Sequence, residues 1–284
     1  MSNDPFDFTP APDRYAVMGN PVGHSRSPRI HALFAEQTGQ NLTYEAIQVD
    51  TGGLAQAIGN FRASGGHGLN ITVPFKEKAF ELADRLSDRA RQAGAVNTLT
   101  LEADGVAGDN TDGIGLVADL RDHLEWTLDG AKVLLVGAGG AARGAVVPLL
   151  EAGVAELRVV NRTPDRAREL AAHFADDGPV SGGALESATT PFDIIINATA
   201  ASLDSAIPAL DPAVVGEDTA VYDMMYAAAP TPFIRWGLDH GASVVADGLG
   251  MLVEQAADSF ALWRGVRPET APVLAALRRD LEAV

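Results

Sequence analysis

The sequence predicts a two-domain α/β fold, and three observations carry that expectation. The chain has 284 residues, 46% of them hydrophobic, which is enough to fill two cores. Short apolar runs alternate with helically spaced segments over most of its length, the pattern of strands joined by crossover helices. The third observation is the stretch 132–163, which reads as strand, glycine-rich turn, helix and second strand.

That stretch organises the second domain. Val133, Leu134, Leu135 and Val136 form a continuous apolar run, as expected of a strand buried on both faces. The turn Gly137-Ala138-Gly139-Gly140-Ala141-Ala142 matches G-x-G-x-x-[GA] through Gly137, Gly139 and Ala142. Gly137 suits the tight turn, Gly139 lets backbone approach a pyrophosphate, and small Ala142 lets the helix pack close to the strand. Free N–H groups at the helix N-terminus then face the anion. The alternative is an α/β turn with no ligand, but the flanking strand, helix and strand are the context a dinucleotide site requires. A Rossmann-type doubly wound domain follows. At the end of the second strand, where an NAD site carries Asp or Glu, this chain has Asn161, Arg162 and Thr163, with Arg166 one helical turn beyond Arg162. A guanidinium pairs with a phosphate rather than with a bare ribose hydroxyl, so the expected cofactor is NADP. Thr163-Pro164 also reads as an N-cap and first helical residue, which leaves the arginines unexplained.

The other elements follow in order. Residues 1–12 are acidic and Pro-rich and are expected to form a disordered leader. Residues 15–18 read as a strand running into a loop, residues 19–28, dense in turn formers. Ser27 as N-cap and Pro28 at the next position start a helix to about residue 39. Strands are expected over 43–48 and 68–73, and helices over 54–61, 76–82 and 88–92. Residues 96–101 and 105–108 read as a hairpin turning at Asp104-Gly105. A helix follows from Gly113 to about residue 124. Later strands are expected at 193–197, 220–222 and 244–246, each with a loop and helix after it, and two helices, 250–264 and 268–282, end the chain. The second domain is placed at 113–249. The first third holds no second phosphate loop, so it reads as a substrate domain with the site in the cleft between the two.

Composition narrows the function. The net charge is −17, which disfavours nucleic acid and anionic membrane surfaces as partners. No apolar run approaches the ~18 residues of a membrane span, and the start lacks the features of a secretory signal, so the expectation is a cytoplasmic protein. There is no cysteine, hence no disulfide and no thiol chemistry. The six histidines show no metal-ligand spacing, and no metal is expected.

A hydride-transfer enzyme acting on a ketone or alcohol needs a group to move the hydroxyl proton. Lys76 follows a strand end and Pro74, where side chains point into a crevice outside the sheet. Lys78, two residues on, reads as a solvated helix lysine. Asp112 is the carboxylate to pair with Lys76, and the competing role for it is an N-cap. Ser25 and Ser27 lack the second glycine of a nucleophile elbow. They read as capping residues and as hydrogen-bond donors to an anionic substrate. His24 and His31 read as loop and helix residues, with His24 also placed to line the cleft.

The motifs together resemble the shikimate dehydrogenase family. They are Gly19-Asn20-Pro21-Val22 with His24-Ser25 and Ser27-Pro28; Asn70-Ile71-Thr72-Val73-Pro74-Phe75-Lys76; Gly94-Ala95-Val96-Asn97-Thr98; and Asn110-Thr111-Asp112-Gly113. They continue through Gly137 to Ala142, Asn161-Arg162-Thr163, Tyr222-Asp223-Met224 with Tyr226, and residues 248–256. The resemblance implies NADP-dependent reduction of 3-dehydroshikimate to shikimate, on the route to aromatic amino acids. It implies Lys76 and Asp112 as the catalytic pair, and Ser25 and Ser27, helped by Tyr226, at the substrate carboxylate. Thr72, Asn97, Asp112 and Gln255 would hold ring hydroxyls, and Thr199, Met224 and Gly248 would join the turn and the arginines around the cofactor. The helices from residue 250 would return to the first domain, making it 13–112 plus 250–284. A homodimer is left open. The family's usual Asn-Ala-Thr-Ser-x-Gly is here Asn197-Ala198-Thr199-Ala200-Ala201-Ser202, so a serine and a glycine are missing near the cofactor. A relative that also takes quinate, and a non-catalytic NADP or shikimate sensor, remain as alternatives; a sensor has no need of Lys76 and Asp112.

Overall fold

The computed structural model describes residues 11–199 and 207–283, so residues 1–10 of the expected leader and residues 200–203 of the altered loop lie outside the described residues. Two six-stranded sheets divide the described strands. The first contains β1 (Asp13–Gly19), β2 (Leu42–Gln48), β3 (Gly66–Ile71), β4 (Arg85–Leu86), β5 (Thr98–Glu102) and β6 (Gly105–Asp109) in the order β2-β1-β3-β5-β6-β4. Its half around β1 is parallel, and β5 runs antiparallel to β3 and β6.

The second sheet is wholly parallel. It contains β7 (Lys132–Val136), β8 (Glu156–Asn161), β9 (Val180–Ala184), β10 (Phe192–Asn197), β11 (Val215–Asp223) and β12 (Val244–Asp247), ordered β12-β11-β10-β7-β8-β9. The chain therefore winds outward in both directions from β7, and the order reverses between β7 and β10. That is where an open α/β sheet leaves a crevice at its strand ends. The four apolar residues of β7 are all fully buried, which fits a central strand covered on both faces.

Helices α1 (Ser27–Thr38), α2 (Leu54–Ala63), α3 (Lys76–Leu82) and α4 (Asp88–Ala93) belong to the first sheet's connections; α5 (Asp112–Ala118) and a π-helical turn at Asp119–His123 lead to the second. Helices α6 (Gly140–Glu151), α7 (Pro164–His173) and α8 (Pro232–Asp239) cover the second sheet. The last two, α9 (Leu249–Arg264) and α10 (Ala271–Glu282), return to the first lobe. There Val253, Phe260, Leu277 and Leu281 share a core with Ile30 and Phe34 of α1.

Helix α5 joins the lobes, and two glycines make this possible. A Cβ on Gly113 would run into the Gly144 carbonyl oxygen of α6, and one on Gly115 would sit 2.7 Å from the Gln255 amide of α9. The sequence Asp112-Gly113-Ile114-Gly115 thus lets a helix of each lobe press against one short rod.

Several expectations are corrected. The hairpin turns at Ala103-Asp104, because Glu102 pairs with Gly105 and puts that glycine in β6. Ser27 is the first helical residue of α1 rather than its cap. The N-cap position is Arg26 and makes no side-chain bond, while Ser25 Oγ accepts from the Ser27 amide at 3.3 Å. Thr163 holds the N-cap position of α7, but its side chain accepts no cap bond. Strands β4 and β9 had not been expected. Between β10 and β11 the described residues carry a 3-10 turn, Pro212–Val214, rather than the expected helix.

Candidate active site

A cleft of about 330 Å³ opens between the lobes. Its floor comes from the ends of β1 and β3 and the loops after them, its far wall from α9, and its roof from the segment after β11. All eight residues expected to meet the substrate line it: Ser25, Ser27, Thr72, Lys76, Asn97, Asp112, Tyr226 and Gln255. His24, Met224 and Gly248 line it too.

Lys76 opens α3 directly after β3, and Asp112 opens α5 directly after β6. The two helix starts converge, and Lys76 Nζ lies 2.6 Å from Asp112 Oδ2. Asp112 is buried while Lys76 stays partly open to the cleft. Asp112 does not cap α5: its carboxylate is committed to Lys76 and to Asn97 Nδ2, which donates to Oδ1 at 2.9 Å. Instead Asn110 Oδ1 accepts from the Asp112 amide at 3.1 Å. Lys78 pairs with Glu81 on the surface.

Asn97 is held from several sides. Its Nδ2 also reaches Thr111 Oγ1 at 2.9 Å and Gln255 Oε1 at 3.2 Å, and its Oδ1 accepts from the Thr111 amide at 2.8 Å. Gln255 Nε2 is tied to the Leu252 carbonyl at 2.8 Å. These groups are fixed before any ligand arrives, as a preorganised site requires. Thr72 and Tyr226, by contrast, make no side-chain hydrogen bond among the described residues, so their hydroxyls are available at the mouth. Burial raises the Tyr226 phenol above its ordinary pKa, and nearby Arg26 offsets part of that rise. Arg26 forms no ion pair among the described residues and gives the serine loop a local positive charge.

The turn expected to hold the cofactor has the required backbone. Gly137 has φ +116°, a backbone conformation that strains any side chain, and a Cβ there would press on Thr199 Cγ2 at 3.1 Å. Around Gly139 nothing lies within 4 Å of a would-be Cβ, which leaves room for a phosphate against the backbone. Gly139 is the N-cap of α6, and Gly140, Ala141 and Ala142 supply its first-turn N–H groups. Ala142 is fully buried against the sheet. Arg162 and Arg166 are both exposed, and neither is in an ion pair among the described residues. Asn161 Nδ2 donates to the Thr163 carbonyl at 3.0 Å and braces that corner. Thr199, Met224 and Gly248 gather where β10, β11 and β12 end, with the Met224 amide donating to the Asn197 carbonyl at 3.0 Å. A Cβ on Gly248 would collide with the Met224 carbonyl. The open backbone, the helix N-terminus and two guanidiniums unpaired among the described residues could together hold a phosphorylated dinucleotide.

Sequence reasoning gave no role to the polar layer behind the cleft: Asn70, Thr98 and Thr111, which stand in the quoted motifs, and Ser259, which does not, all buried and bonded to one another. Polar residues inside strand and helix patterns were its signal. His31 was read as an ordinary helix residue, yet it is buried and stacks on Tyr44 with ring centroids 4.0 Å apart.

Among the described residues there is no group of three or more potential metal ligands and no helix long and apolar enough to cross a membrane.

Comparison with known proteins agrees with this geometry. The family profile described as the shikimate dehydrogenase substrate binding domain matches residues 17–99, that of shikimate / quinate 5-dehydrogenase matches 120–206, and that of the shikimate 5'-dehydrogenase C-terminal domain matches 248–278. A shikimate dehydrogenase (NADP(+)) of Thioalkalivibrio sulfidiphilus is 54% identical over 268 residues, covering 94% of this chain and 98% of that one. The structure of an Ael1 enzyme from Pseudomonas putida superposes with a TM-score of 0.88 at 44% identity, over 93% and 98% of the two chains. That of a Thermus thermophilus shikimate 5-dehydrogenase in complex with NADP(H) and shikimate gives 0.84 at 36% identity, over 95% and 100%. With likeness of this degree running along nearly its whole length, the chain belongs to the shikimate dehydrogenase family.

Proposed function

We propose that this protein is an NADP-dependent oxidoreductase that interconverts 3-dehydroshikimate and shikimate in the cytoplasm, for aromatic amino-acid biosynthesis. The carrying observation is the Lys76–Asp112 pair, 2.6 Å apart, inside a cleft lined by every residue the sequence assigns to the substrate. The names and ligands of the family members above support the same reading. The lobe of residues 13–112 with 250–284 binds the ring, and the lobe of residues 113–249 binds the cofactor.

Ser25 and Ser27, with Tyr226, receive the ring carboxylate. Hydroxyl donors suit a carboxylate without adding net charge, and Arg26 supplies a local positive field. Thr72, Asn97, Asp112 and Gln255 receive ring hydroxyls, and buried amide and carboxylate groups reject rings that lack a matching hydroxyl. Gly137, Ala138, Gly139, Gly140 and Ala141 would hold the pyrophosphate of NADP, Asn161, Arg162, Thr163 and Arg166 its 2'-phosphate, and Thr199, Met224 and Gly248 its nicotinamide end. When bound, the cofactor would supply or accept the hydride. Lys76 Nζ donates a proton to the oxygen of the ketone as it becomes an alkoxide, and in the reverse direction takes it from the hydroxyl. Asp112 holds the ammonium in place and balances its charge, and solvent at the cleft mouth restores the proton.

The test is the near-ultraviolet absorbance of reduced cofactor, with shikimate and quinate each offered with NADP and with NAD. The reading expects NADP with shikimate to dominate. Comparable rates with quinate would assign the broader activity. No signal from any combination would contradict the proposal and favour a sensor.

A further inference from the structure

The mechanism above leaves unused a line of buried polar groups behind Asp112. Tyr44 lies on the edge strand β2, and its side chain crosses β1 to reach Asn70 on β3. Its hydroxyl donates to Asn70 Oδ1 at 2.7 Å. Asn70 Nδ2 donates to Thr98 Oγ1 at 3.1 Å and to Ser259 Oγ at 2.9 Å. Thr98 Oγ1 donates to Asn97 Oδ1 at 2.9 Å, and Asn97 Nδ2 donates to Asp112 Oδ1 at 2.9 Å. Lys76 occupies the other carboxylate oxygen.

We infer that Tyr44 is a positioning residue for the proton-transfer pair, its hydroxyl starting a one-way hydrogen-bond chain through Asn70, Thr98 and Asn97 that fixes the Asp112 carboxylate. The direction follows from the chemistry of the end group. A carboxylate only accepts, so Asn97 turns its nitrogen to Asp112 and its oxygen to Thr98. Thr98 then gives its one hydrogen to Asn97 and offers lone pairs to Asn70. Asn70 in turn presents its oxygen to Tyr44, and only a donor satisfies it there. A phenol does so and a phenyl ring does not.

The surroundings keep Tyr44 in that role. The His31 ring lies flat against it, 4.0 Å away and 5° from parallel. Neither His31 ring nitrogen has a hydrogen-bond partner among the described residues. Burial holds the imidazole neutral, with its pKa lowered to about 3, and raises the Tyr44 phenol well above its ordinary value. The hydroxyl therefore keeps its proton throughout the working range. Linked buried bonds of this kind act as a unit, and breaking one leaves the rest unsatisfied.

The inference rests on the oxidoreductase reading. Its test compares the parent with Tyr44→Phe, Thr98→Val, Thr98→Ser and the Tyr44→Phe/Thr98→Val double variant, recording kcat, KM for each substrate and Tm. Tyr44→Phe and Thr98→Val should each lower kcat about tenfold, the effect of one unsatisfied buried group, with KM for NADP unchanged. The double variant should be no worse than the poorer single variant, because both break one chain. Thr98→Ser keeps the hydroxyl and should retain kcat to within about twofold. Parental kcat in Tyr44→Phe, losses that multiply in the double variant, or a Thr98→Ser as impaired as Thr98→Val would each overturn the relay. If Tyr44→Phe fails to fold, the two Thr98 variants still decide. An inactive parent would overturn the oxidoreductase reading and the relay together; an active parent with unaffected variants would overturn the relay alone.

Discussion

At the scale of single residues, the proposed preference for NADP rests on two arginines that follow β8. Arg162, just after β8, and Arg166, in α7, are four positions apart and exposed, without a carboxylate partner among the described residues, in a chain whose net charge is −17. Guanidiniums without a carboxylate partner in so acidic a molecule have the chemistry to attract a phosphate. Arg162→Asp should therefore raise KM for NADP by roughly 10- to 100-fold, the worth of one charge-assisted hydrogen bond. KM for NAD should change little, and steady-state kinetics with both cofactors checks the difference. Equal losses with the two would show that Arg162 does not meet the 2'-phosphate.

What was legible beforehand at this scale is the lining of the cleft, where Ser25, Lys76, Asp112 and Gln255 come together as the sequence expected. The layer of Asn70, Thr98, Thr111 and Ser259 was not. Asn70, Thr98 and Ser259 lie in strands or a helix whose apolar periodicity dominates the local reading, Thr111 lies just before α5, and the partners are up to 189 positions apart. Asp112 was legible in part: the sequence offered both a pairing with Lys76 and a helix cap, and the structure shows the pairing together with an Asn97 contact that the sequence did not suggest.

Among the elements, α5 carries the most consequence for its length. Its two glycines face α6 on one side and α9 on the other, so their worth lies in the missing side chain. Gly113→Ala should cost about 1–3 kcal/mol by overpacking against the Gly144 carbonyl. Gly59 in α2 provides the contrast: nothing lies within 4 Å of its would-be Cβ. Gly59→Ala should stabilise by up to about 1 kcal/mol through helix propensity. Urea unfolding of the two variants checks the opposite signs; a neutral Gly113→Ala would mean that α5 and α6 shift apart cheaply.

The elements that escaped the sequence lack a distinct pattern. Strand β9, Val180-Ser181-Gly182-Gly183-Ala184, has neither alternation nor an apolar run. Gly182 is nonetheless required, since a Cβ there would strike the Ala167 carbonyl of α7. Strand β4 has two residues. The hairpin turn slipped by one position because Asp104-Gly105 is a favoured turn pair, whereas the pairing of Glu102 with Gly105 places the turn one residue earlier.

At the scale of the whole molecule, a polar knot ties the lobes together behind the cleft. Asp119, in the π-helical turn, accepts from Tyr222 OH of β11 at 2.6 Å. His123 pairs with Glu254 of α9 at 2.7 Å, and Arg278 of α10 grips Asp247 of β12 with two bonds. Burial raises the Asp119 pKa to about 6 from 3.8, against the Tyr222 hydrogen bond and the nearby His123, which favour the charged form. A raised folded-state value means that the folded protein binds the proton more tightly than the unfolded chain. The stability this group contributes is thus full below about pH 4 and is lost as pH rises through about 6. The difference amounts to about 3 kcal/mol at most. Asp119→Asn removes the titration, so unfolding midpoints compared at pH 5 and pH 7.5 should separate less in the variant than in the parent. An unchanged pH dependence would show that Asp119 does not titrate in this range.

The account turns on the ammonium of Lys76 moving the proton while the rest of the cleft holds the ring. Steady-state turnover of Lys76→Ala, read together with its KM for shikimate, tests this most directly. The expected result is a kcat lower by about 10²–10⁴-fold, the usual worth of a positioned acid–base group, with KM changed only a few-fold. Near-parental turnover in that variant would contradict the mechanism.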